Sequence, residues 1–452
     1  MKKGSQRQAI NGEFQLPEPI VHRIQSFLTA KEAARTIILS KSWRSAWLTR
    51  PNLDLDIDDV GGDEFSEFAN KTILRYEQSN LKIESLRLCI GGEGSGVLAN
   101  DLIMGALKIG ATHLNVRNSD RRIVLSQEVF EAENLVELSL EGWEIDDLGF
   151  DRKVKCSKLE SLSLRSVTIN REMISNIASC CPLIWKLSLC DVIPFGSDNV
   201  YYSFLGDLST KFPSLKDLTL DGCNTQEISS RSLERLNFVS VCHMLNVKFD
   251  VPSIRKFRFE TEDDEIPSLS FVSAPSEWES DAFILDRYGN LSVSWFLRLN
   301  KFLTGLSPSR ISLTLEIVLS ESCEYEVGDI QCLPKPEVEN LTISMTQLSA
   351  LDYFTLFHGV FQICRPKFIT VGCESSFGHV MRNDLVCKTL ARGLDNKCMY
   401  GLHDLEEVIV RFFDEDDGAW QPMPLKSLLN PSVSPTSSTP IRKIRFQLKW
   451  KP

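Results

Sequence analysis

Long apolar runs are missing from this 452-residue chain, and no compact constellation of chemistry-bearing residues occurs in it. No stretch approaches the roughly 18 residues that a membrane helix needs. The opening Met1-Lys2-Lys3-Gly4-Ser5-Gln6-Arg7-Gln8 leads into no apolar segment, so no secretory signal is read there. The expected location is the cytosol or nucleus. The thirteen cysteines are scattered and none stands in C-x-x-C spacing, which argues against a zinc site or a redox dithiol. Reduced thiols buried as small hydrophobes are expected instead. Histidine is scarce, six in all, and none falls in H-E-x-x-H; no G-x-S-x-G elbow is present. The Gly91–Gly96 run lacks both G-x-G-x-x-G spacing and the Gly-Lys-Ser/Thr ending of a phosphate loop, so it reads as a turn between repeats. Positive charge is also short: 50 Lys and Arg against 61 Asp and Glu leave a net −11, which disfavours non-specific nucleic-acid binding. The sequence therefore implies no catalytic centre, no metal and no cofactor.

What is present is a repeated pattern: apolar, two variable, apolar, one variable, apolar. Leu135-Val136-Glu137-Leu138-Ser139-Leu140 is one copy. Eight copies begin at Ile83, Ala111, Leu135, Leu159, Ile184, Leu215, Leu233 and Ile254, with steps of 28, 24, 24, 25, 31, 18 and 21 residues. That period and core define a leucine-rich repeat solenoid, in which each copy adds one strand to a concave sheet. Asn52–Asp58 alternates apolar and acidic residues and reads as the strand that starts it. Residues 63–79, with Phe65, Phe68, Ile73 and Tyr76, read as an amphipathic convex helix. So do the segments carrying Met173, Ile174, Ile177 and Ala178, and Phe204, Leu205 and Leu208. The 18-residue step after Leu215 is too short for a helix and predicts a loop or single turn.

After about residue 260 the repeats become irregular. Copies return at Val338, Leu405 and Ile441, with degraded ones at Ile311–Leu315 and Phe368–Val371. The asparagine that often follows the leucines is replaced by Trp143, Val167 and Val192, while Cys223 matches the alternative residue. The acidic runs 260–265 and 414–417 read as solvated loops, and 430–440, rich in Ser, Thr and Pro, as a flexible loop.

The first fifty residues form a different module. Ile20, Ile24, Phe27 and Leu28 lie at i, i+4, i+7 and i+8, one helix face. Thr29-Ala30-Lys31-Glu32 has capping-box spacing and opens a second helix carrying Ala33, Ala34, Ile37 and Ile38. Ser40 caps a third helix with Trp43 and Trp47 on one face. Phe27 is assigned to the small core. Leu16-Pro17-Glu18, the Ile20…Ile24…Phe27-Leu28 spacing and Leu39-Ser40-Lys41-Ser42-Trp43-Arg44 closely resemble an F-box, and the wording around Glu32–Trp43 resembles the plant F-box/LRR subfamily. Pro19 departs from the usual pattern and is expected to shift the helix start.

The resemblance implies an α/β chain in which a three-helix F-box precedes an irregular leucine-rich repeat horseshoe. The expected boundaries are a disordered 1–13, an F-box at 14–55 and repeats over 56–452. It implies docking to a Skp-type adaptor on a cullin-RING ligase through Leu16, Pro17, Ile20, Ile24, Ser40 and Trp43. The chain would then be a non-catalytic substrate receptor of an SCF-type ubiquitin ligase. Two alternatives stay open: a scaffold that no longer recruits the ligase, and a hormone or inositol-phosphate receptor.

Strand alternation turns the residues flanking each fourth position outward. Seven of these are basic, among them Arg87, Lys186, Arg235, Lys256 and Arg258, and three are acidic. The local excess around Arg235, Lys256 and Arg258 predicts a binding face for an acidic or phosphorylated protein segment.

Overall fold

The computed structural model describes residues 16–92, 95–120, 123–145, 154–194, 211–222, 225–239, 246–262, 266–287, 291–318, 330, 334–346, 350–371, 383–414, 418–429 and 443–451. The expectations placed on 1–13, on Phe204, Leu205 and Leu208, on Cys223 and on 430–440 lie outside these residues, as do 263–265 and 415–417 of the acidic runs. The chain divides into two compact units, 1–160 and 161–452, and each is described by itself.

The first unit opens with three short helices, α1 (Glu18–Gln25), α2 (Ala30–Arg35) and α3 (Lys41–Thr49). Pro17 precedes α1, where a missing N–H costs nothing, and its carbonyl accepts from Ile20 and Val21. The Thr29/Glu32 capping box forms as its spacing predicts, and Ser40 Oγ accepts from the Trp43 N–H. The segment after α2 tightens into a 3₁₀ turn, Thr36–Ile38.

Strand β1 (Asn52–Asp56) follows, then a single turn α4 (Ile57–Val60) and the helix α5 (Gly62–Gln78). Phe65, Ile73 and Tyr76 of α5 are buried as the periodicity predicts, whereas Phe68 is 45% exposed. Strands β2 (Ser85–Ile90), β3 (His113–Asn118) and β4 (Glu137–Glu141) pair in parallel in the order β1-β2-β3-β4, with α6 (Ser95–Ile109) between β2 and β3. Their register aligns the repeat positions: Leu53, Leu86, Leu114 and Leu138 stand opposite one another and are all buried. Each such side chain contributes about 1.5–3 kcal/mol on burial. Where the repeat asparagine is replaced by Trp143, its indole N–H donates to the Val116 carbonyl across 3.2 Å, so the tryptophan ties one turn to the previous one.

The second unit begins with β5 (Ser161–Arg165), β6 (Thr168–Ile169), α7 (Arg171–Cys180), β7 (Lys186–Cys190) and β8 (Ile193–Pro194). Asn170 caps α7, and Met173, Ile174, Ile177 and Ala178 are buried, as the spacing predicts. Strands β9 (Asp217–Asp221), β10 (Glu227–Ser229), β11 (Arg235–Val239), β12 (Asn246–Asp250), β13 (Lys256–Thr261) and β14 (Ser268–Ser273) come next. The short step after Leu215 thus holds a strand, β10, rather than only a loop. It pairs in a second parallel sheet, β10-β12-β14. Phe238, Phe249, Phe257, Phe259, Phe271 and Trp278 form one aromatic cluster with ring-centroid distances of 4.7–6.5 Å.

The main sheet continues with β15 (Glu279–Asp286), β16 (Arg310–Val318), β17 (Glu337–Thr346) and β18 (Arg365–Val371), all parallel. It closes with β19 (Leu405–Asp414), β20 (Ala419–Met423) and β21 (Ile444–Trp450). These last strands pair antiparallel, β18 with β21, β21 with β19 and β19 with β20. The copies read at Leu405 and Ile441 are therefore not further parallel repeats. Their alternation is that of any half-buried strand and carries no strand direction.

Candidate functional site

The three-helix module has almost no core of its own. The fully buried side chains of α1, α2 and α3 are Val21, Gln25, Ala33 and Ala46. Gln25 is the hub: its Nε2 donates to Thr36 Oγ1 across 3.0 Å and to the Trp43 carbonyl across 3.2 Å, joining all three segments. Because Val21 and Gln25 face inward, Ile20 and Ile24 face out, 49% and 36% exposed. Helix α1 ends at Gln25, so Phe27 is not carried on the inward face. It is 73% exposed beneath the Arg23 guanidinium at 4.7 Å, which corrects its assignment to the core. Ile37, Ile38 and Leu39 are also exposed, at 37%, 85% and 61%. Leu16 is half-buried, Pro17 exposed and Trp43 half-buried. Ser40 spends its hydroxyl on the α3 cap and on a 2.7 Å hydrogen bond with Ser42. Hydrogen bonds from the Thr29 backbone and hydroxyl hold the Glu32 carboxyl below its ordinary range. Ile20, Ile24, Phe27, Ile37, Ile38 and Leu39 thus give a small module unusual apolar exposure.

In the second unit the outward side chains of the parallel strands form rows. One row runs Ser161, Lys186, Asp217, Arg235, Lys256, Glu279, Arg310, and the next runs Ser163, Ser188, Thr219, Asn237, Arg258, Asp281, Ser312. Arg235, Lys256 and Arg258 are therefore neighbours, as the repeat spacing predicts. Each also meets a carboxylate: Arg235 Nε lies 2.9 Å from Asp217, Lys256 Nζ 3.9 Å from Glu279 and Arg258 3.1 Å from Glu260. In the first unit Arg87 likewise meets Asp54 at 3.0 Å and Asp56 at 3.7 Å.

Sequence reasoning missed Glu279, Asp281 and Arg310 on this face. The strand β15 was unrecognised because its three apolar repeat positions hold Glu277, Ser280 and Ala282. Arg445, another of the seven basic residues that strand alternation turns outward, is half-buried and lies 4.5 Å from the Trp420 ring and 5.7 Å from that of Phe368. A cavity of about 750 Å³ opens where these strands begin, lined by Arg255, Lys256, Trp278, Glu279, Arg310 and Lys367 among others. Among the described residues no group of three or more His, Cys, Asp or Glu is placed to hold a metal. No helix among them is long and apolar enough to cross a membrane.

No family model matches the chain. It is similar to plant F-box/LRR-repeat proteins, with curated relatives in Arabidopsis thaliana. A provisionally named F-box/LRR-repeat protein is 30% identical over 226 residues, 45% of this chain and 43% of the relative. A provisionally named F-box/FBD/LRR-repeat protein is 25% identical over 336 residues, 69% of this chain and 68% of the relative. An F-box/FBD/LRR-repeat protein is 23% identical over 373 residues, 75% of this chain and 83% of the relative. The chain spans less than half the length of the first of these and from about two thirds to four fifths of the other two.

Proposed function

We propose that this chain is the substrate-recognition subunit of an SCF-type cullin-RING E3 ubiquitin ligase, located in the cytosol or nucleus. The three-helix module docks a Skp-type adaptor, and the parallel strands are turns of an irregular leucine-rich repeat domain that holds a protein substrate. The chain performs no chemistry. It raises the effective concentration of a substrate lysine near the charged conjugating enzyme.

The observation that carries this reading is the apolar exposure of Ile20, Ile24, Phe27, Ile37, Ile38 and Leu39 on a module with only four fully buried helical side chains. The names of the similar plant proteins agree with it. The adaptor contacts are Leu16, Pro17, Ile20, Ile24 and Trp43, with Ser40 acting through the α3 cap it provides. Capture of purified Skp-type adaptor by the full chain tests the reading. Wild type should bind and Leu16→Ala/Pro17→Ala should not. A folded wild type that captures no adaptor overturns it.

Arg235, Lys256 and Arg258 form the substrate-facing set. Since each already meets a carboxylate, a merely acidic segment exchanges like for like. A phosphorylated residue, near −2 in charge with three acceptor oxygens, displaces a carboxylate more effectively. An array of phosphorylated peptides and their unphosphorylated counterparts checks this. Preference for the phosphorylated set should vanish in Arg235→Glu/Arg258→Glu, and equal binding by the variant removes these residues from the proposal.

A further inference from the structure

A second cavity, of about 530 Å³, lies wholly in the first unit, between the Thr36–Ile38 turn, the end of α3, β1 and α5. Its size falls within the roughly 300–1,000 Å³ of small-molecule sites. One part of its lining is apolar: Ile37, Ile38, Trp47, Leu55, Val60 and Phe68. The charged part holds four cations, Lys31, Arg35, Arg50 and Arg75, and three carboxylates, Asp54, Asp56 and Asp59.

All three carboxylates are engaged. Asp54 and Asp56 meet Arg87, which is not part of this lining, and Asp59 meets Lys31 at 3.9 Å. Arg35, Arg50 and Arg75 have no carboxylate within ion-pair distance among the described residues. Two of them are half-buried. Arg50 stacks on the Trp47 ring at 3.7 Å, and Arg75 packs 5.2 Å from the Tyr76 ring with its Nε buried and without a hydrogen-bond partner. Burial pulls the Arg50 guanidinium below its ordinary range; Tyr76 and Asp54 oppose that effect, and the charge of Arg75 adds to it. Half-buried guanidinium groups with no carboxylate in direct contact are costly, and an anion between them relieves that cost.

We propose that this cavity binds a small amphiphilic organic anion. Its carboxylate is held by Arg50 and Arg75, and its apolar body lies against Ile38 and Phe68. Guanidinium forks suit a carboxylate through paired hydrogen bonds. The occupant is a small acid rather than an acidic protein segment because a peptide would press its backbone polar groups against the apolar wall, where they find no partners. Ile37 and Ile38 also belong to the exposed apolar set assigned to the adaptor, so the titration uses the chain free of adaptor.

Calorimetric titration of the full chain with decanoate and 4-phenylbutyrate tests this, with 1-decanol and 4-phenylbutanol as neutral counterparts. The acids should bind saturably at one site, and the alcohols about tenfold or more weaker, the loss of a charge-assisted contact. Arg75→Gln and Arg50→Gln should each erase the preference for acid over alcohol. The wild-type comparison stands even if a variant fails to fold. Equal binding of acids and alcohols, or no binding of either, overturns the proposal. So does binding of hexaglutamate in place of the small acids, which would make the cavity a docking groove for an acidic protein segment.

Discussion

Replacing adjacent residues of α1 separates docking from folding. Ile20 is 49% exposed, and Val21 is fully buried. Ile20→Asp removes a side chain that packs on nothing indispensable, so stability should stay within about 0.5 kcal/mol. Adaptor binding should suffer twice. An isoleucine yields about 1.5–3 kcal/mol on full burial, so the exposed half forgoes about 1 kcal/mol. Placing a carboxylate in an apolar interface adds about 2 kcal/mol or more. A total near 3 kcal/mol corresponds to a roughly 100-fold weaker complex. Val21→Asp instead buries an unpaired charge inside the module and should cost at least about 3 kcal/mol of stability. Calorimetric titration with purified Skp-type adaptor, alongside thermal unfolding of each variant, reads both quantities. Wild-type affinity in Ile20→Asp would refute the assignment of this face to the adaptor. Loss of fold in Ile20→Asp would refute the assignment of inward and outward faces.

Phe257 is 1% exposed, stacks on Phe259 and meets Phe238, Phe249, Phe271 and Trp278 in tilted or edge-on contacts. Phe257→Ala should cost about 3–5 kcal/mol, read from denaturant unfolding, and a loss under about 1.5 kcal/mol would show that the aromatic layers do not depend on it. The Glu32 carboxyl, held low by Thr29, contributes to the α2 cap above its ordinary pKa of 4.5, and that contribution is lost as pH falls through the lower folded value. A carbon-13 titration of Glu32 should therefore show a midpoint below 4.5, moving up to the ordinary value in Thr29→Ala. Burial pushes the Cys89 thiol to about 11 and the Cys364 thiol to about 12, whereas Cys398 is exposed. Mass-spectrometric mapping after brief iodoacetamide treatment at neutral pH should find Cys398 alkylated well before Cys89 and Cys364. Alkylation of Cys364 in the folded chain would contradict its burial.

The parallel repeats up to Ile254 were legible because three apolar positions at a regular step can be satisfied only by turning the chain back onto the preceding strand. The register bears this out down to paired positions such as Leu86 and Leu114 or Leu236 and Phe257. The caps at Thr29 and Ser40 were legible for a local reason, since a side chain three residues before an orphan N–H has one obvious partner. The basic residues Arg235, Lys256 and Arg258 follow from strand alternation alone. What they face does not, because Asp217 and Glu279 reach them from neighbouring strands and Glu260 from farther along β13.

By itself, then, the sequence determined the repeat period, which side of each strand is apolar, and the three-helix start. These depend on residues a few positions apart. Only the tertiary structure decided that Val21 and Gln25 rather than Ile20 and Ile24 fill the small core, and that β15 forms without its leucines. It also decided that the last strands run antiparallel and that Arg50 and Arg75 share a cavity in which neither has a described carboxylate within ion-pair distance. Each of those outcomes depends on which distant segment packs alongside, and no local spacing encodes it.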